Sequence, residues 1–415
     1  MKEIQAEILT IGDEILYGQI LDTNAQWIST ELDALGLKVV RRTTVGDKKE
    51  DMLHAFHAAE KRADIIIITG GLGPTNDDLT MPTLADYFQV GITTNKAVLN
   101  HVQDFFEKRG RVFSELNRRQ AEVPANAQIL HNDLGTAPGT WYEHNHKIFI
   151  SLPGVPHEMK NLMKTTVIPR LSKDFEMPVT YHKLIKTVGI GESTLAEIIQ
   201  DWEAGLPKHI SLAYLPSVGH VKLRLTALGS NRNTLIQDVE NQIATLKPLA
   251  GKFIYGYDTT TLEEAVGKIL MEENKTIAFA ESCSGGFIQH KITTIPGSSS
   301  FFQGGIVPYH NDLKINVLGV NKEIIEKHGA VSEACVKAMA EKVRILFNSD
   351  IGAASSGIAG PGGGTSEKPV GTVWIAFSDG EQTIAKKLQL TSNRLLNIEL
   401  TQISVLNLVR KSLRA

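Results

Sequence analysis

The sequence predicts a multidomain α/β protein, with a doubly wound and mostly parallel N-terminal sheet, a small α+β middle domain and an α/β C-terminal domain. Three observations support this prediction. Strand-like and helix-like segments alternate in both end regions of the chain. Four consecutive isoleucines at 65–68 are typical of a strand that is covered on both faces of a parallel sheet. The chain has 415 residues, of which 42% are hydrophobic, which is enough for several buried cores.

The N-terminal domain, residues 1–172, is predicted from a β-α-β-α-β order, in which apolar spacing indicates helices and β-branched runs indicate strands. Such an order implies parallel strands joined by crossover helices. The predicted elements are strand 6–11, helix 22–35, strand 37–41, helix 49–62, strand 64–69, helix 79–88, strand 147–151 and a helix from about residue 157.

The middle domain, residues 173–252, begins with a predicted linker at 174–178 (Asp-Phe-Glu-Met-Pro). Its expected elements are a strand near 180, helix 193–202, a hairpin around 220–225 and helix 233–247. The C-terminal domain, residues 253–415, is also predicted to be α/β. Its expected elements are helix 262–272, strand 276–280, helix 287–293, helix 333–347, strand 351–355, strand 370–377 and helix 394–409.

The charge and cysteine counts exclude several classes of protein. Lys and Arg number 43 against 46 Asp and Glu, so the net charge of −3 argues against binding to nucleic acid or to an anionic membrane. The two cysteines, Cys283 and Cys335, exclude a disulfide framework and favour a reducing cytoplasm. The N-terminus lacks the apolar core of a signal peptide. We therefore expect a cytoplasmic protein without a nucleic-acid or membrane partner.

A glycine-rich loop follows the isoleucine strand. Its glycines, Gly70, Gly71 and Gly73, let the backbone approach a ligand closely, and the start of the next helix favours an anion such as phosphate. Asp77 and Asp78 could hold a divalent metal that bridges phosphate oxygens. The loop matches neither the dinucleotide fingerprint nor the P-loop, and a tight turn with a solvated acidic cap is the alternative.

Two further loops are predicted to reach the same edge of the sheet. One contains Gly12, Asp13 and Glu14 after the first strand, and the other contains Pro153 and Gly154 after the strand at 147–151. Because ligands bind at the carboxyl ends of parallel strands, three converging loops favour a binding site over unrelated turns.

A strand–turn–helix segment in the C-terminal domain points to nucleophilic chemistry. Ser282 is predicted on a sharp turn after an apolar strand, with Gly285 and Gly286 opening a helix whose amides could hold an oxyanion. Cys283 competes as nucleophile because a thiolate is intrinsically better, although a small buried hydrophobic residue is the simpler interpretation. A helix cap is the alternative role for Ser282.

The sequence leaves the base for such a serine open. No spacing recommends any of His290, His310 or His328, and Lys314 is one of several lysines whose pKa burial could lower. A second glycine-rich run, 355–364, follows another predicted strand and could wrap a phosphate or an oxyanion with backbone amides. A flexible loop is the alternative for this run.

Ordered runs in the C-terminal domain resemble the CinA C-terminal domain, the family of the nicotinamide mononucleotide deamidases. The resemblance covers nearly all of residues 253–415. Two residues depart from the family pattern: Ser284 stands where the family usually has Thr, and Pro308 precedes Tyr309 where smaller or β-branched residues are common. Pro308 is expected to stiffen the loop before Tyr309 and to affect its geometry. The matching runs are 280–286 (Ala-Glu-Ser-Cys-Ser-Gly-Gly), 296–299 (Pro-Gly-Ser-Ser), 309–314, 329–332 (Gly-Ala-Val-Ser), 357–361 (Gly-Ile-Ala-Gly-Pro) and 368–372 (Lys-Pro-Val-Gly-Thr).

The N-terminal domain resembles the molybdopterin-binding-like domain of the same family, and the middle domain resembles its KH-type domain. The whole chain is therefore identified as similar to full-length CinA proteins. The N-terminal resemblance rests on residues 11–15 (Ile-Gly-Asp-Glu-Ile), Asn24, residues 70–75, Asp77 with Asp78, and residues 152–156 (Leu-Pro-Gly-Val-Pro).

The resemblance implies a bifunctional hydrolase of pyridine-nucleotide (NAD) salvage. The C-terminal domain, without a cofactor, would deamidate nicotinamide mononucleotide to nicotinate mononucleotide and ammonia, with Ser282 as nucleophile and Lys314 as base. Arg394 would add charge for the substrate phosphate, although a surface arginine at a helix start is an equal alternative. The residues expected to bind this substrate are Cys283, Ser284, Gly285, Gly286, Tyr309, Asn311, Gly357, Gly360, Gly362 and Arg394.

For the N-terminal domain the resemblance implies hydrolysis of ADP-ribose to AMP and ribose 5-phosphate, with a divalent metal such as Mg²⁺ on Asp77 and Asp78, and with K⁺. It also implies a homodimer. Two alternatives stay open: that one or both domains only bind a nucleotide or pterin-like ligand, and that the chain is an accessory protein of competence or DNA repair. The residues expected to bind the nucleotide are Gly12, Asp13, Asn24, Gly70, Gly71, Gly73, Thr75, Pro153 and Gly154.

Overall fold

The computed structural model describes residues 4–175 and 178–414. Backbone contacts divide the chain into two compact units, residues 1–181 with 227–236, and residues 182–226 with 237–415. The linker expected at 174–178 includes Glu176 and Met177, which lie outside the described residues. Within the described ranges, no helix is long and apolar enough to cross a membrane.

A mostly parallel sheet forms the centre of the first unit. Its strands, together with those of a small separate sheet, are β1 (Gln5–Ile11), β2 (Lys38–Val45), β3 (Ile65–Thr69), β4 (Ile92–Thr94), β5 (Glu122–Pro124), β6 (Gln128–Leu130), β7 (Gly139–His144) and β8 (Lys147–Leu152). The helices are α1 (Asp13–Leu16), α2 (Thr23–Ala34), α3 (Lys49–Arg62), α4 (Thr80–Phe88), α5 (Lys96–Glu107), α6 (Glu115–Arg118), α7 (Pro156–Leu162) and α8 (Ile168–Asp174).

The main sheet of this unit has the strand order β2-β1-β3-β8-β7-β6. Strands β2, β1, β3 and β8 are parallel, whereas β7 and β6 are antiparallel to their neighbours. All of β3 is buried, with one core cluster around Ile67 and Trp141 and another around Ile68 and Phe149. The doubly wound, mostly parallel prediction is therefore confirmed, and every element predicted for this region is present.

Strand β2 was predicted too short. In the structure it continues past Arg41 to Val45. The prediction stopped early because β2 is an edge strand, and the polar residues of its second half interrupt the apolar pattern. Strands β4 to β7 and helices α5 and α6 were not predicted from the sequence. The greater length of β2 matters for the candidate site, since it brings Gly46 and Asp47 to the same edge of the sheet as the loops after β1 and β3.

The middle of the chain forms a small sheet with two helices, the α+β arrangement that the sequence predicted. Its four-stranded sheet has the order β10-β11-β9-β12. The elements are β9 (Val179–Val188), α9 (Glu192–Ala204), β10 (Ile210–Ser217), β11 (His220–Gly229), α10 (Arg232–Ala250) and β12 (Ile254–Tyr257).

The C-terminal region is α/β around a five-stranded mixed sheet. Its elements are α11 (Leu262–Glu272), β13 (Ile277–Glu281), α12 (Phe287–Thr293), β14 (Phe302–Ile306), α13 (Asn311–Asn316), α14 (Lys322–His328), α15 (Glu333–Leu346), β15 (Ile351–Gly357), β16 (Thr372–Ser378), β17 (Thr383–Gln389) and α16 (Arg394–Ser412). The strand order is β14-β13-β15-β16-β17, with the first three strands parallel and the last two antiparallel. The predicted α/β class is therefore confirmed for this region as well.

Candidate active sites

Three neighbouring parallel strands bring the C-terminal candidate site together. The Ser282 turn follows β13, the loop that carries Tyr309 follows β14, and the glycine-rich run follows β15. Because carboxyl ends of parallel strands share one edge of a sheet, these loops line a common cavity of about 290 Å³. The predicted residues that line it are Ser282, Cys283, Tyr309, Asn311, Lys314, Gly357, Gly360, Gly362 and Arg394.

The other predicted residues of this domain lie beside that cavity. Ser284, Gly285 and Gly286 line a neighbouring open groove together with His290 and Leu395. The Ser284 hydroxyl lies 2.7 Å from that of Ser355, so it is held inside the fold. The structure thus separates these three residues from the main cavity.

The central contact of the site joins Ser282 and Lys314, which are 32 positions apart in the sequence. Lys314 Nζ lies 3.2 Å from Ser282 Oγ, and the two residues are only 2% and 8% exposed. Lys314 Nζ also donates to the carbonyl oxygens of Pro308, at 2.8 Å, and Tyr309, at 3.2 Å. The unusual Pro308 therefore supplies a carbonyl oxygen that holds the lysine beside Ser282.

Burial lowers the pKa of Lys314 from its ordinary value, because the charged ammonium loses its hydration. Within the described part of the chain, no carboxylate forms an ion pair with it. A neutral amine has two N–H donors and one lone pair. The two carbonyl oxygens of the Tyr309 loop can take both donors, which leaves the lone pair directed at the Ser282 hydroxyl. The geometry suits a lysine that acts as a general base.

The alternatives to this pair fit less well. Cys283 is 7% exposed, and burial raises the pKa of its thiol to about 12, so a thiolate is disfavoured. His310 has a largely exposed side chain that caps α13. Among the described residues, no histidine forms a hydrogen bond with Ser282. The nucleophile and base that the resemblance implied are therefore the pair that the structure brings into contact.

Arg394 connects two of the loops around the cavity. It is the first residue of α16, and it donates to the carbonyl oxygen of Gly360 at 2.9 Å and to the Tyr309 hydroxyl at 3.0 Å. An arginine held in this way at the rim of a cavity is placed to meet an anion. Arg394 is nevertheless exposed at the start of α16, so its position also matches the alternative of a surface arginine at a helix start.

The N-terminal candidate site lies at the carboxyl ends of β1, β3 and β8. A cavity of about 250 Å³ opens there, and the three predicted loops meet at it. Gly70 allows this close approach, since a Cβ on it would lie 2.1 Å from the carbonyl oxygen of Ile11 at a φ of +105°. The predicted residues that line the cavity are Gly12, Asn24, Gly70, Gly71, Asp77, Asp78 and Gly154.

The remaining predicted residues of this site lie around it. Gly73 and Thr75 line an adjoining cavity of about 180 Å³ on the other side of the same loop. The carbonyl oxygen of Pro153 accepts a hydrogen bond from the Thr69 hydroxyl at 3.0 Å. The backbone N–H of Asp13 donates to Asp47 at 2.9 Å. Pro153 and Asp13 thus support the cavity instead of lining it.

Asp47 is a site residue that the sequence reasoning missed. Burial raises the pKa of its carboxyl group and outweighs the lowering effect of the hydrogen bond from the Asp13 N–H, and the charges on Asp13, Glu14 and Asp77 raise this pKa by smaller amounts. Asp47 lines the cavity with Glu14 and Asp77. Its position just beyond the end of a strand beside β1 could have revealed it, had β2 been extended to Val45.

The carboxylates at this cavity suit a hard divalent cation. Asp22 accepts hydrogen bonds from the Thr10 hydroxyl and the Ala25 N–H, and Asp78 accepts from the N–H and hydroxyl of Thr75, so these two are partly engaged. The described residues contain no group of three or more His, Cys, Asp or Glu side chains arranged to hold a metal ion. The cavity thus offers a cation at most one or two carboxylates, and Mg²⁺ bound through so few would need water and phosphate oxygens as its other ligands.

Asn24 shows that the cavity offers a hydrogen-bond acceptor. The side chain is 8% exposed, and its Nδ2 donates to the carbonyl oxygen of Gly154 at 2.8 Å and to the Thr69 hydroxyl at 3.3 Å. Its Oδ1 is buried and has no partner among the described residues. A buried acceptor without a partner is costly, so this oxygen points to a donor that a ligand would supply.

Three family models match the chain in succession. The first is described as "Probable molybdopterin binding domain" and matches residues 7–173. The second, the damage-inducible protein CinA KH domain, matches residues 182–256. The third, the CinA C-terminal domain, matches residues 259–413.

Relatives resemble the chain over almost its whole length. A CinA-like protein from Cytophaga hutchinsonii is 50% identical over 99% of this chain and 98% of that protein, and one from Amoebophilus asiaticus is 42% identical over 99% and 100%. A crystal structure of the protein CinA from Thermoplasma acidophilum is 32% identical, with a TM-score of 0.37, and covers 41% of this chain and 96% of that one. On its matches to all three models and to full-length relatives, the chain belongs to the CinA family.

Proposed function

We propose that the C-terminal domain deamidates nicotinamide mononucleotide to nicotinate mononucleotide and ammonia. The observation that carries this proposal is the 3.2 Å contact between Ser282 Oγ and Lys314 Nζ at a cavity lined by glycine-rich backbone. The reaction class follows from the nucleophile and base, and the substrate follows from the family resemblance. A cavity of about 290 Å³ also suits part of a mononucleotide better than a polymer.

In this reaction the Ser282 hydroxyl gives its proton to neutral Lys314 as Oγ attacks the carboxamide carbon. The resulting ammonium returns the proton to the departing nitrogen, so that ammonia leaves and a serine ester remains. Water then attacks the ester as Lys314 accepts its proton, and Lys314 passes that proton to the departing Ser282 Oγ, so that nicotinate mononucleotide is released and both residues return to their starting state. Low exposure of both residues keeps bulk water from competing for the base.

The negative oxygen that forms in each step needs donors, since a carboxamide is a poor electrophile. Main-chain N–H groups of the Ser282 turn are in reach of this role. The guanidinium of Arg394, which contacts Gly360 and Tyr309 at the same cavity, would bind the 5′-phosphate of the substrate.

The test is ammonia release from nicotinamide mononucleotide by the full chain and by Ser282→Ala, with Cys283→Ala and Lys322→Met as controls. Lys322 is an exposed lysine paired with Glu326, and is unrelated to the cavity. We expect Ser282→Ala to abolish release and both controls to retain it. Undiminished ammonia release by Ser282→Ala would contradict the proposal. Loss of ammonia release in Cys283→Ala would identify the thiol as the nucleophile.

We further propose that the N-terminal domain hydrolyses ADP-ribose to AMP and ribose 5-phosphate with a divalent cation. The position of Asp47 at a cavity that it shares with Glu14, Asp77 and Asp78 supports this, because a cation would relieve the burial of its charge, which is the main cause of its raised pKa, and the smaller repulsion from the neighbouring carboxylates. Asp77 and Asp78 would hold the ion together with water and phosphate oxygens, Asp47 would add negative charge beside them, and the ion would neutralise pyrophosphate charge. Asn24 Oδ1 would accept a hydrogen bond from the nucleotide.

This second proposal is tested by product analysis with ADP-ribose and Mg²⁺, with and without chelator. Asp47→Asn is expected to lose cleavage, whereas Asp51→Asn, an exposed carboxylate in the first turn of α3, serves as the matched control. Cleavage that survives both chelation and Asp47→Asn would contradict the metal-assisted proposal. Tight ADP-ribose binding with no cleavage by the unaltered chain would favour a binding-only domain.

A further inference from the structure

We propose that Glu281 is a positioning residue for Ser282, holding the turn that presents the nucleophile through hydrogen bonds to the start of α12. This inference rests on the proposed deamidase function of the same site. Glu281 is the last residue of β13 and directly precedes Ser282. Neither composition nor spacing singled it out.

The Glu281 carboxylate is fully buried and accepts three backbone hydrogen bonds. Oε2 accepts from the N–H of Gly286 at 3.0 Å and of Ile288 at 3.1 Å, and Oε1 accepts from the N–H of Gln289 at 2.8 Å. Gly286 is the N-cap of α12, with a φ of +94°, and has no side chain of its own to cap the helix. The carboxylate of Glu281 therefore caps the helix from the strand that precedes the turn.

The hydrogen bond from the Gly286 N–H to the Glu281 side chain closes a ring with the backbone of the turn. The backbone runs from Glu281 through Ser282 to Gly286, and the side chain of Glu281 returns from the strand end to the helix start. Backbone hydrogen bonds from the Ser282 N–H to the Ser355 oxygen, at 2.9 Å, and from the Gly285 N–H to the Ser282 oxygen, at 3.2 Å, fix it further. Both ends of the turn are thus fixed, which is what a nucleophile held within hydrogen-bond distance of its base requires.

A buried carboxylate is costly unless its oxygens are well hydrogen-bonded. Three N–H donors and the positive end of the helix dipole meet this requirement at Glu281. In the described part of the chain, no Lys or Arg forms an ion pair with it. The charge of Glu281 is therefore stabilised by backbone N–H groups at the start of α12, and loss of this charge should first change the geometry of the Ser282 turn.

Glu281 also decides which amides remain for the oxyanion. It takes the N–H groups of Gly286, Ile288 and Gln289, while those of Gly285 and Phe287 donate to the carbonyl oxygens of Ser282 and Ser284. Over the described residues, the N–H groups of Cys283 and Ser284 donate to no other residue. Of these two residues Cys283 lines the main cavity, so its amide is the donor that the turn leaves for a negative oxygen next to Ser282.

The experiment compares Glu281→Gln and Glu281→Asp with the unaltered chain and with Ser282→Ala. Gln offers one carbonyl oxygen to three N–H groups and turns its own NH₂ toward them, whereas Asp keeps the charge but is one methylene shorter. The matched control is Glu7→Gln. Glu7 is also fully buried, but it binds Arg62 and Thr43 in the N-terminal unit.

Two quantities are measured: the kcat and KM for ammonia release, and the rate and end point of labelling by a fluorophosphonate. This probe forms a P–O bond with Ser282 Oγ and expels fluoride, while the proton passes to Lys314. The end point counts correctly folded molecules, and the rate reports how well each of them positions Ser282. A merely structural residue would lower the end point and leave the rate per labelled molecule unchanged.

We expect Glu281→Gln to lower kcat and the labelling rate about 100-fold, as a misplacement of about 1 Å does, with KM changed by less than about threefold. Glu281→Asp should show a smaller loss of the same kind, and Glu7→Gln none. An unchanged rate per labelled molecule in either Glu281 variant overturns the inference, whatever fraction folds. Activity in Ser282→Ala would instead remove the proposed function, so the two failures are distinct.

Discussion

The two candidate sites lie at the carboxyl ends of parallel strands, but they differ in how complete they are. In the C-terminal cavity a buried amine already faces a buried hydroxyl, and carbonyl oxygens satisfy its other donors. In the N-terminal cavity, carboxylates repel one another and the Asn24 Oδ1 atom has no partner in the described part of the chain. The function proposed for the first site uses groups of the chain alone, whereas the function proposed for the second also needs a cation.

The largest expected effect is that of Lys314→Met, which tests the complete site. Removal of the base should lower kcat for deamidation by about 10³-fold, since general bases contribute 10² to 10⁴. ADP-ribose cleavage by the same variant should stay unchanged. Equal loss of both activities would show that the lysine supports the fold instead.

The pH dependence sharpens this prediction. Lys314 is active when neutral, and burial lowers its pKa. The kcat/KM for deamidation should therefore rise with pH through a midpoint below the ordinary lysine pKa of about 10.4, and then level off. A midpoint at the ordinary value would contradict a desolvated base.

Metal removal is the next largest effect and tests the incomplete site. Chelation should lower ADP-ribose cleavage by about 100-fold or more and leave ammonia release from nicotinamide mononucleotide unchanged. Readdition of Mg²⁺ should restore cleavage. Loss of ammonia release on chelation would break the comparison, because the C-terminal site would then also depend on a metal.

Arg394→Gln should have a smaller effect, mainly on binding. The variant loses a charged contact for the phosphate and the link between Gly360 and Tyr309, so we expect KM to rise about tenfold with kcat within threefold. Steady-state kinetics with nicotinamide mononucleotide would measure both. A fall in kcat alone would assign Arg394 to the chemical step.

The smallest effect is expected for Cys283→Ala. The thiol is buried, and its pKa is raised to about 12, so it should contribute packing and little chemistry. We expect kcat within threefold of the unaltered chain and a loss of about 1 kcal/mol in the free energy of unfolding. Urea denaturation and ammonia release would measure these. A hundredfold loss of kcat with an intact fold would restore the thiol as a candidate nucleophile.

Local patterns were sufficient for much of the fold and for several of the residues that line each candidate cavity. The isoleucine strand, the Ser282 turn and the glycine loops are short-range features, and the structure places them as the sequence indicated. Strand β14 (Phe-Gln-Gly-Gly-Ile) escaped prediction because its glycines disfavour a strand on local grounds.

The rest of each site depends on which strands are neighbours. Lys314 meets Ser282 only because β14 lies beside β13, and Asp47 reaches its cavity only because β2 lies beside β1. Spacing along the chain carries no such information, so only the family resemblance selected Lys314. The role of Glu281 depends on the direction of its side chain, which no periodicity reveals.

The central claim, that Ser282 is the nucleophile, is tested most directly by trapping the covalent intermediate. The full chain would be mixed with nicotinamide mononucleotide, quenched with acid within a single turnover and analysed by peptide mass mapping. The account predicts an acyl adduct on the peptide that contains Ser282, assigned by fragmentation to its Oγ and absent from Ser282→Ala. An adduct on Cys283, or ammonia released by Ser282→Ala at the unaltered rate, would contradict it.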